Sequence, residues 1–188
     1  MLDKPEIYFK TDIEWRSWLE INYNISNGIY LILYKVESNK PSMRWEEAVQ
    51  VALCFGWIDS TVKKLDHERR RQYFCPRNPK SAWSKLNKAY IQQLITTNLM
   101  HQSGLIKIEA AKKDGSWSAL DAVENLIIPK DLQTLFNKNN IAYKNYRNFA
   151  PSYRKSYLYW LNQAKRKDTR LKRIQHIIEL CQKNIKHR

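Results

Sequence analysis

Two stretches of this chain gather residue types whose spacing suits ligand chemistry. The first reads Cys54-Phe55-Gly56-Trp57-Ile58-Asp59-Ser60 and resumes at Pro76-Arg77-Asn78-Pro79-Lys80-Ser81-Ala82-Trp83-Ser84-Lys85-Leu86-Asn87. Between them, alternating runs at 57–65 and 69–75 flank the polar Asp66-His67-Glu68, which predicts a β-hairpin. A hairpin that starts in one stretch and ends in the other draws Trp57, Asp59, Arg77, Ser81, Trp83, Ser84 and Asn87 together. Apolar walls with a few convergent polar groups are the ingredients of a ligand pocket. There Arg77 would clamp a carboxylate or phosphate in bidentate fashion. Ser84 would sit at a helix N-terminus, which favours anions, and Asp59 would serve as an acid/base. The same residues also allow a plainer reading: Ser84 as an N-cap, Asp59 and Arg77 as a structural ion pair, and both indoles in the core. The sequence leaves the two open.

The second stretch is residues 151–188. Tyr153, Tyr157, Trp160, Leu161 and Ala164 follow helical spacing, as do Leu171, Ile174, Ile178, Cys181 and Ile185, so two amphipathic helices joined near Lys167-Asp168 are expected. Arg166, Arg170 and Arg173 step by four and three, with Lys165 beside them. They form a basic stripe if the helix reaches back to Arg166. Such a stripe tracks the phosphates of a nucleic acid or is simply a solvated face.

Other chemistries find no support. There is no Ser-His-Asp or Cys-His spacing and no Gly-rich phosphate loop. Cys75 has basic neighbours but no partnering base. The three cysteines form no Cys-x-x-Cys and the four histidines share no ligand spacing, so neither a metal site nor a disulfide framework is expected. No cofactor is implied and no residue is assigned to catalysis. An enzyme of unknown reaction using Asp59 stands as the alternative to a binding protein, and a protein-interaction module as the second alternative.

The elements that must position these groups follow from pattern. Thr11 or Asp12 opens a helix reaching about Tyr23; Ile29–Val36 reads as a strand buried on both faces; Pro41-Ser42 opens a helix that ends at Gly56. From Ser84 onward helices are expected at 84–98, 102–114, 118–124, 130–138, 140–148, 152–165 and 168–184. The fold class is therefore α+β: a small, antiparallel-rich sheet of about three strands near the N-terminal half, packed by helices, then an all-helical C-terminal part. The expected domains are 1–125, carrying the Trp-rich hairpin, and 126–188, packed on the first.

With 43% hydrophobic and 12% aromatic residues among 188, and only 4 Gly and 6 Pro, the chain has enough apolar material for a core, which excludes general disorder and fibrous classes. The net charge of +15 is concentrated, with +7 over residues 61–90 and +9 over 151–188. That sign attracts anionic ligands or nucleic acid. No apolar run approaches the ~20 residues of a membrane span, and the start lacks the n- and h-regions of a secretory signal, so a cytoplasmic location is expected.

Taken together, the strings Trp15-x-x-Trp18-Leu19, Ala52-Leu53-Cys54-Phe55-Gly56-Trp57-Ile58-Asp59, Pro76-Arg77-x-x-x-Ser81-x-Trp83-Ser84-x-x-Asn87 and Gly104-Leu105 through Ala111-Lys112 to Gly115-x-Trp117 resemble the front part of the YdeI/OmpD-associated, or bacteriocin-protection, family. The segment Tyr157-x-x-Trp160-Leu161-x-x-Ala164-Lys165-Arg166-x-x-Thr169-Arg170-x-x-Arg173-Ile174 resembles its C-terminal module. The position after Asp59, usually Gly in that family, is Ser60 here. The resemblance implies a stress-related or bacteriocin-protection role and brings no reaction or cofactor with it. The reading is an accessory protein that binds an anionic ligand through the Trp/Arg pocket and the basic helix.

Overall fold

The computed structural model describes residues 4–187. The chain divides into two units, one up to Ser118 and one from Ala119 onward.

The first unit is built on a four-stranded mixed sheet. Its strands are β1 (Glu6–Tyr8), β2 (Ile29–Tyr34), β3 (Trp57–Lys64) and β4 (Arg69–Pro76), in the order β1-β2-β4-β3. β3 and β4 form the expected hairpin, and β4 pairs antiparallel with β2. The fourth strand, β1, runs parallel to β2 and escaped the sequence pattern because three residues are too few to show alternation. A bulge interrupts β3 between Asp59 and Val62, at the Ser60 position.

β2 meets the expectation of burial on both faces in part: Ile29, Leu31 and Leu33 point into the core and Ile32 is buried on the opposite face, where Tyr30 and Tyr34 are half-buried. The core face is closed by α1 (Asp12–Asn22) and α2 (Trp45–Cys54), with Trp15, Leu19, Trp57 and Phe74 fully enclosed. Thr11 caps α1 by accepting from the Glu14 N–H. α2 begins later than expected, at Trp45, because Ser42 instead accepts from the backbone N–H of Tyr34. It ends at Cys54, and Gly56 beyond the Phe55 cap, with a φ of +74°, suits the residue that reverses the chain. α3 (Lys85–Thr96) and α4 (Gln102–Asp114) complete the unit.

The second unit is all helical: α5 (Asp121–Glu124), α6 (Lys130–Asn137), α7 (Asn140–Asn148), α8 (Pro151–Asn162) and α9 (Lys167–Gln182). Its core holds Leu132, Phe136, Tyr146, Tyr157, Leu158, Leu161, Ile174, Ile177 and Cys181. The expected stripe on α9 shifts, since Leu171 and Ile185 are exposed and Ile177 takes a core place. The fold is thus α+β, with a mixed sheet in the N-terminal half and a helical C-terminal part. No helix among the described residues is long and apolar enough to cross a membrane.

Candidate functional site

The hairpin returns the chain to its start, as its pattern implies: the Arg77 backbone N–H donates to the Gly56 carbonyl at 3.0 Å. β4 ends at Pro76, and residues 77–83 fold back on themselves. Ser81 N–H closes a turn on Asn78, Lys80 adopts φ +61°, and Arg77 Nη2 donates to the Ala82 carbonyl at 2.7 Å. The Arg77 guanidinium lies over the Trp83 ring, 3.6 Å from its centroid. Trp83 is itself buried and tilted against Trp117, with ring centroids 5.2 Å apart.

Arg77 is 4% exposed, and neither its Nε nor its Nη1 has a hydrogen-bond partner. Burial pulls its pKa down to about 10, with Asp59 and Cys75 acting in the opposite sense, so it is cationic at neutral pH. An enclosed guanidinium with idle donors is costly. These donors belong to a residue lining a cavity of about 80 Å³, together with Asn78, Ser81, Trp83, Lys107, Asp114 and Ser116.

The far wall comes from α4 and the residues after it. Lys107, Ala111 and Asp114 share one face, and the small Ala110 and Ala111 leave room. Gly104 on the same helix sets its approach to α2, because a Cβ there would lie 2.2 Å from the Cys54 carbonyl oxygen. Gly115, at φ +81°, turns the chain so that the Ser116 N–H donates to Asp114 Oδ1 at 2.8 Å. Ser116, and then Lys80, hold the Asp114 carboxyl below its ordinary range. Arg77, Lys80 and Lys107 against this one engaged carboxylate leave the lining positive.

The structure therefore joins Arg77, Ser81 and Trp83 in one cavity and separates the other four candidates. Trp57 donates its indole N–H to the Tyr23 carbonyl and borders a different depression of about 260 Å³. Asp59 accepts from Trp45 Nε1 at 2.9 Å and from Gln72 Nε2 at 2.8 Å. Ser84 is the N-cap of α3, accepting from the Asn87 N–H at 3.1 Å. The sequence reading missed Lys107, Asp114 and Ser116; the available signal was the Gly104, Lys107, Ala111, Asp114 spacing on one helical face.

The basic stripe does not form as one helical face. Arg166 is the extended N-cap of α9, outside the helix, and Lys165 precedes it, both exposed. Arg170 binds Asp131 through Nε and Nη2, at 2.5 and 3.0 Å, and also donates to the Leu161 carbonyl. Arg173 donates to the Trp160 carbonyl at 2.5 Å and lies over the Trp160 ring. Burial raises the Cys75 thiol's pKa and pushes that of Cys181 up to about 12, which keeps both protonated. Among the described residues no group of three or more His, Cys, Asp or Glu side chains is placed to hold a metal ion.

No curated protein and no solved structure matches the chain. Two family models do, over separate segments. The strings of the front part up to residue 107, which resembled the bacteriocin-protection family in sequence, fall within a different model, and the Ala111–Trp117 string lies outside both. The chain thus belongs to the family described as Domain of unknown function (DUF8412), matched over residues 7–107, and carries a domain of the family described as Bacteriocin-protection, YdeI or OmpD-Associated at residues 125–184.

Proposed function

We propose that the chain is a cytoplasmic accessory protein of the bacteriocin-protection type that binds a small anion, a carboxylate or a phosphate, at Arg77. One observation carries the reading: a guanidinium 4% exposed, with Nε and Nη1 unpartnered, lines a cavity. An oxyanion in the cavity would accept a charge-assisted hydrogen bond from a donor that the protein leaves idle. Lys80 and Lys107 add positive charge at the same lining, and Trp83, Pro79, Ala110 and Ala111 supply an apolar wall for a short carbon chain. A site for one water needs about 10–15 Å³ of such space, so 80 Å³ suits a ligand of only a few heavy atoms.

The test is thermal unfolding and titration calorimetry with phosphate, sulfate, acetate and propionate as probes. Ligand at 100 times its Kd stabilises the native state by about 2.7 kcal/mol, so at least one probe should raise Tm clearly, and Arg77→Met should abolish that shift. No shift with any of the four, or an equal shift in Arg77→Met, overturns the reading.

A further inference from the structure

We propose that the sheet face opposite the core binds single-stranded nucleic acid, its tyrosines stacking on bases and its cations meeting phosphates. The strand register puts Tyr8 on β1, Tyr30, Ile32 and Tyr34 on β2, Arg69, Arg71 and Tyr73 on β4, and Lys63 on β3 together on this face. The rings form two pairs. Tyr8 meets Tyr34 edge-on with centroids 5.3 Å apart, Tyr30 and Tyr73 lie 5.1 Å apart, and the Arg71 guanidinium sits 4.3 Å from the Tyr30 centroid.

A sheet face turned to water is ordinarily polar. Here it carries four tyrosines around Ile32, although the core is already filled from the other face by Ile29, Leu31, Leu33 and Phe74. Tyr8 is 36% exposed and the other three are half-buried, so ring surface remains available. Tyr30 and Tyr34 stand four residues apart on one strand, about 13 Å at strand rise, with Arg71 opposite Ile32 between them. Aromatic rings interleaved with cations on extended backbone suit unstacked bases and a flexible phosphate chain better than a duplex, whose base faces are hidden.

Charge points the same way. On the strands of this face Lys63, Arg69 and Arg71 stand against Glu6, within a chain of net charge +15. Arg71 pairs with Glu6, Arg69 with Asp66, and Lys40, lying over Tyr34, with Glu68. These pairs are partly exposed, hence weak, and a phosphate can displace the carboxylates.

The experiment is fluorescence anisotropy of the full chain with labelled oligo(dT) and oligo(U) of about twelve nucleotides and a duplex of equal length, at about 50 and 200 mM salt. Single strands should bind at least tenfold more tightly than duplex. Tyr34→Ala and Tyr73→Ala should each weaken that binding by about tenfold, while Tyr34→Phe retains it. Exposed Lys63→Gln, which puts no packing at risk, should reduce the salt slope by about one. Arg77→Met should leave the affinity unchanged, which separates this face from the cavity. Absence of binding at low salt, equal affinity for duplex, an unaltered slope in Lys63→Gln, or loss of binding in Arg77→Met overturns the proposal.

Discussion

Arg77 and Arg173 both lay a guanidinium over a tryptophan, yet their donors end differently. Arg173 and its neighbour Arg170 spend theirs inside the helical unit, on the Trp160 and Leu161 carbonyls and on Asp131. Arg77 is more deeply enclosed and satisfies one carbonyl only. In sequence the C-terminal arginines looked like the anion surface and Arg77 like one of several candidates. A cluster of positive charge says little about what the donors do; the state of each donor separates a structural arginine from one waiting for a partner.

The largest effect expected is on the cavity's framework. Gly104→Ala would drive a Cβ against the Cys54 carbonyl, a backbone atom that cannot step aside. A loss of about 3 kcal/mol in chemical denaturation is expected, the upper end of ordinary overpacking. Retained stability would mean that α4 can slide and that the cavity wall is soft.

Next comes Arg77→Met. Removing a charge-assisted contact should cost about 2–3 kcal/mol of anion affinity, roughly 30- to 150-fold in the calorimetric Kd. Burial lowers the Arg77 pKa, so its charged form opposes folding, and replacing it should leave the unliganded Tm unchanged or higher. A clear fall in Tm without ligand would erase the contrast with Arg173.

The sheet shows how far pattern reading reaches. The hairpin and its consequence, Arg77 returning to Gly56, were legible because alternation and a polar turn are local signals. Helices α4 and α7 were legible to the residue, and Gly115 marks the end of α4. β1 was not legible, since its existence depends on parallel pairing with β2, a long-range event with no local period. The cavity was half legible: Arg77, Ser81 and Trp83 sit in one loop, but Lys107 and Asp114 come from a helix whose approach depends on Gly104 meeting α2. Asp59 and Trp57 were drawn to the site by proximity in the chain, while the strand pleat sends both toward the core face.

The helical unit supplies the opposite sign. Arg170, through its hydrogen bonds, holds the Asp131 carboxyl below its ordinary range. A folded-state pKa that is lowered contributes stability present above the unfolded value, near 4, and lost as pH falls through the folded value. Asp131→Asn should therefore destabilise the protein by about 1 kcal/mol at neutral pH, given the partial exposure of both partners. The difference from wild type should shrink as pH drops below about 4. Denaturant melts at pH 7 and pH 3 measure it. A constant difference would assign the effect to packing rather than to the ion pair.

The smallest effect concerns Ser84, which belonged to the pocket on paper and caps α3 in the fold. An N-cap serine replaced by alanine loses one hydrogen bond to an otherwise orphaned N–H, worth about 1 kcal/mol. The cavity lining excludes Ser84, so its loss should lower Tm slightly and leave anion affinity untouched. Arg77→Met should do the reverse, sparing Tm and removing affinity. The two variants lie seven positions apart in sequence, at opposite ends of one loop, and each should move only the quantity that the other leaves alone. If Ser84→Ala also weakens the anion, the helix terminus takes part in binding, and the division drawn between capping and ligand donors fails at this loop.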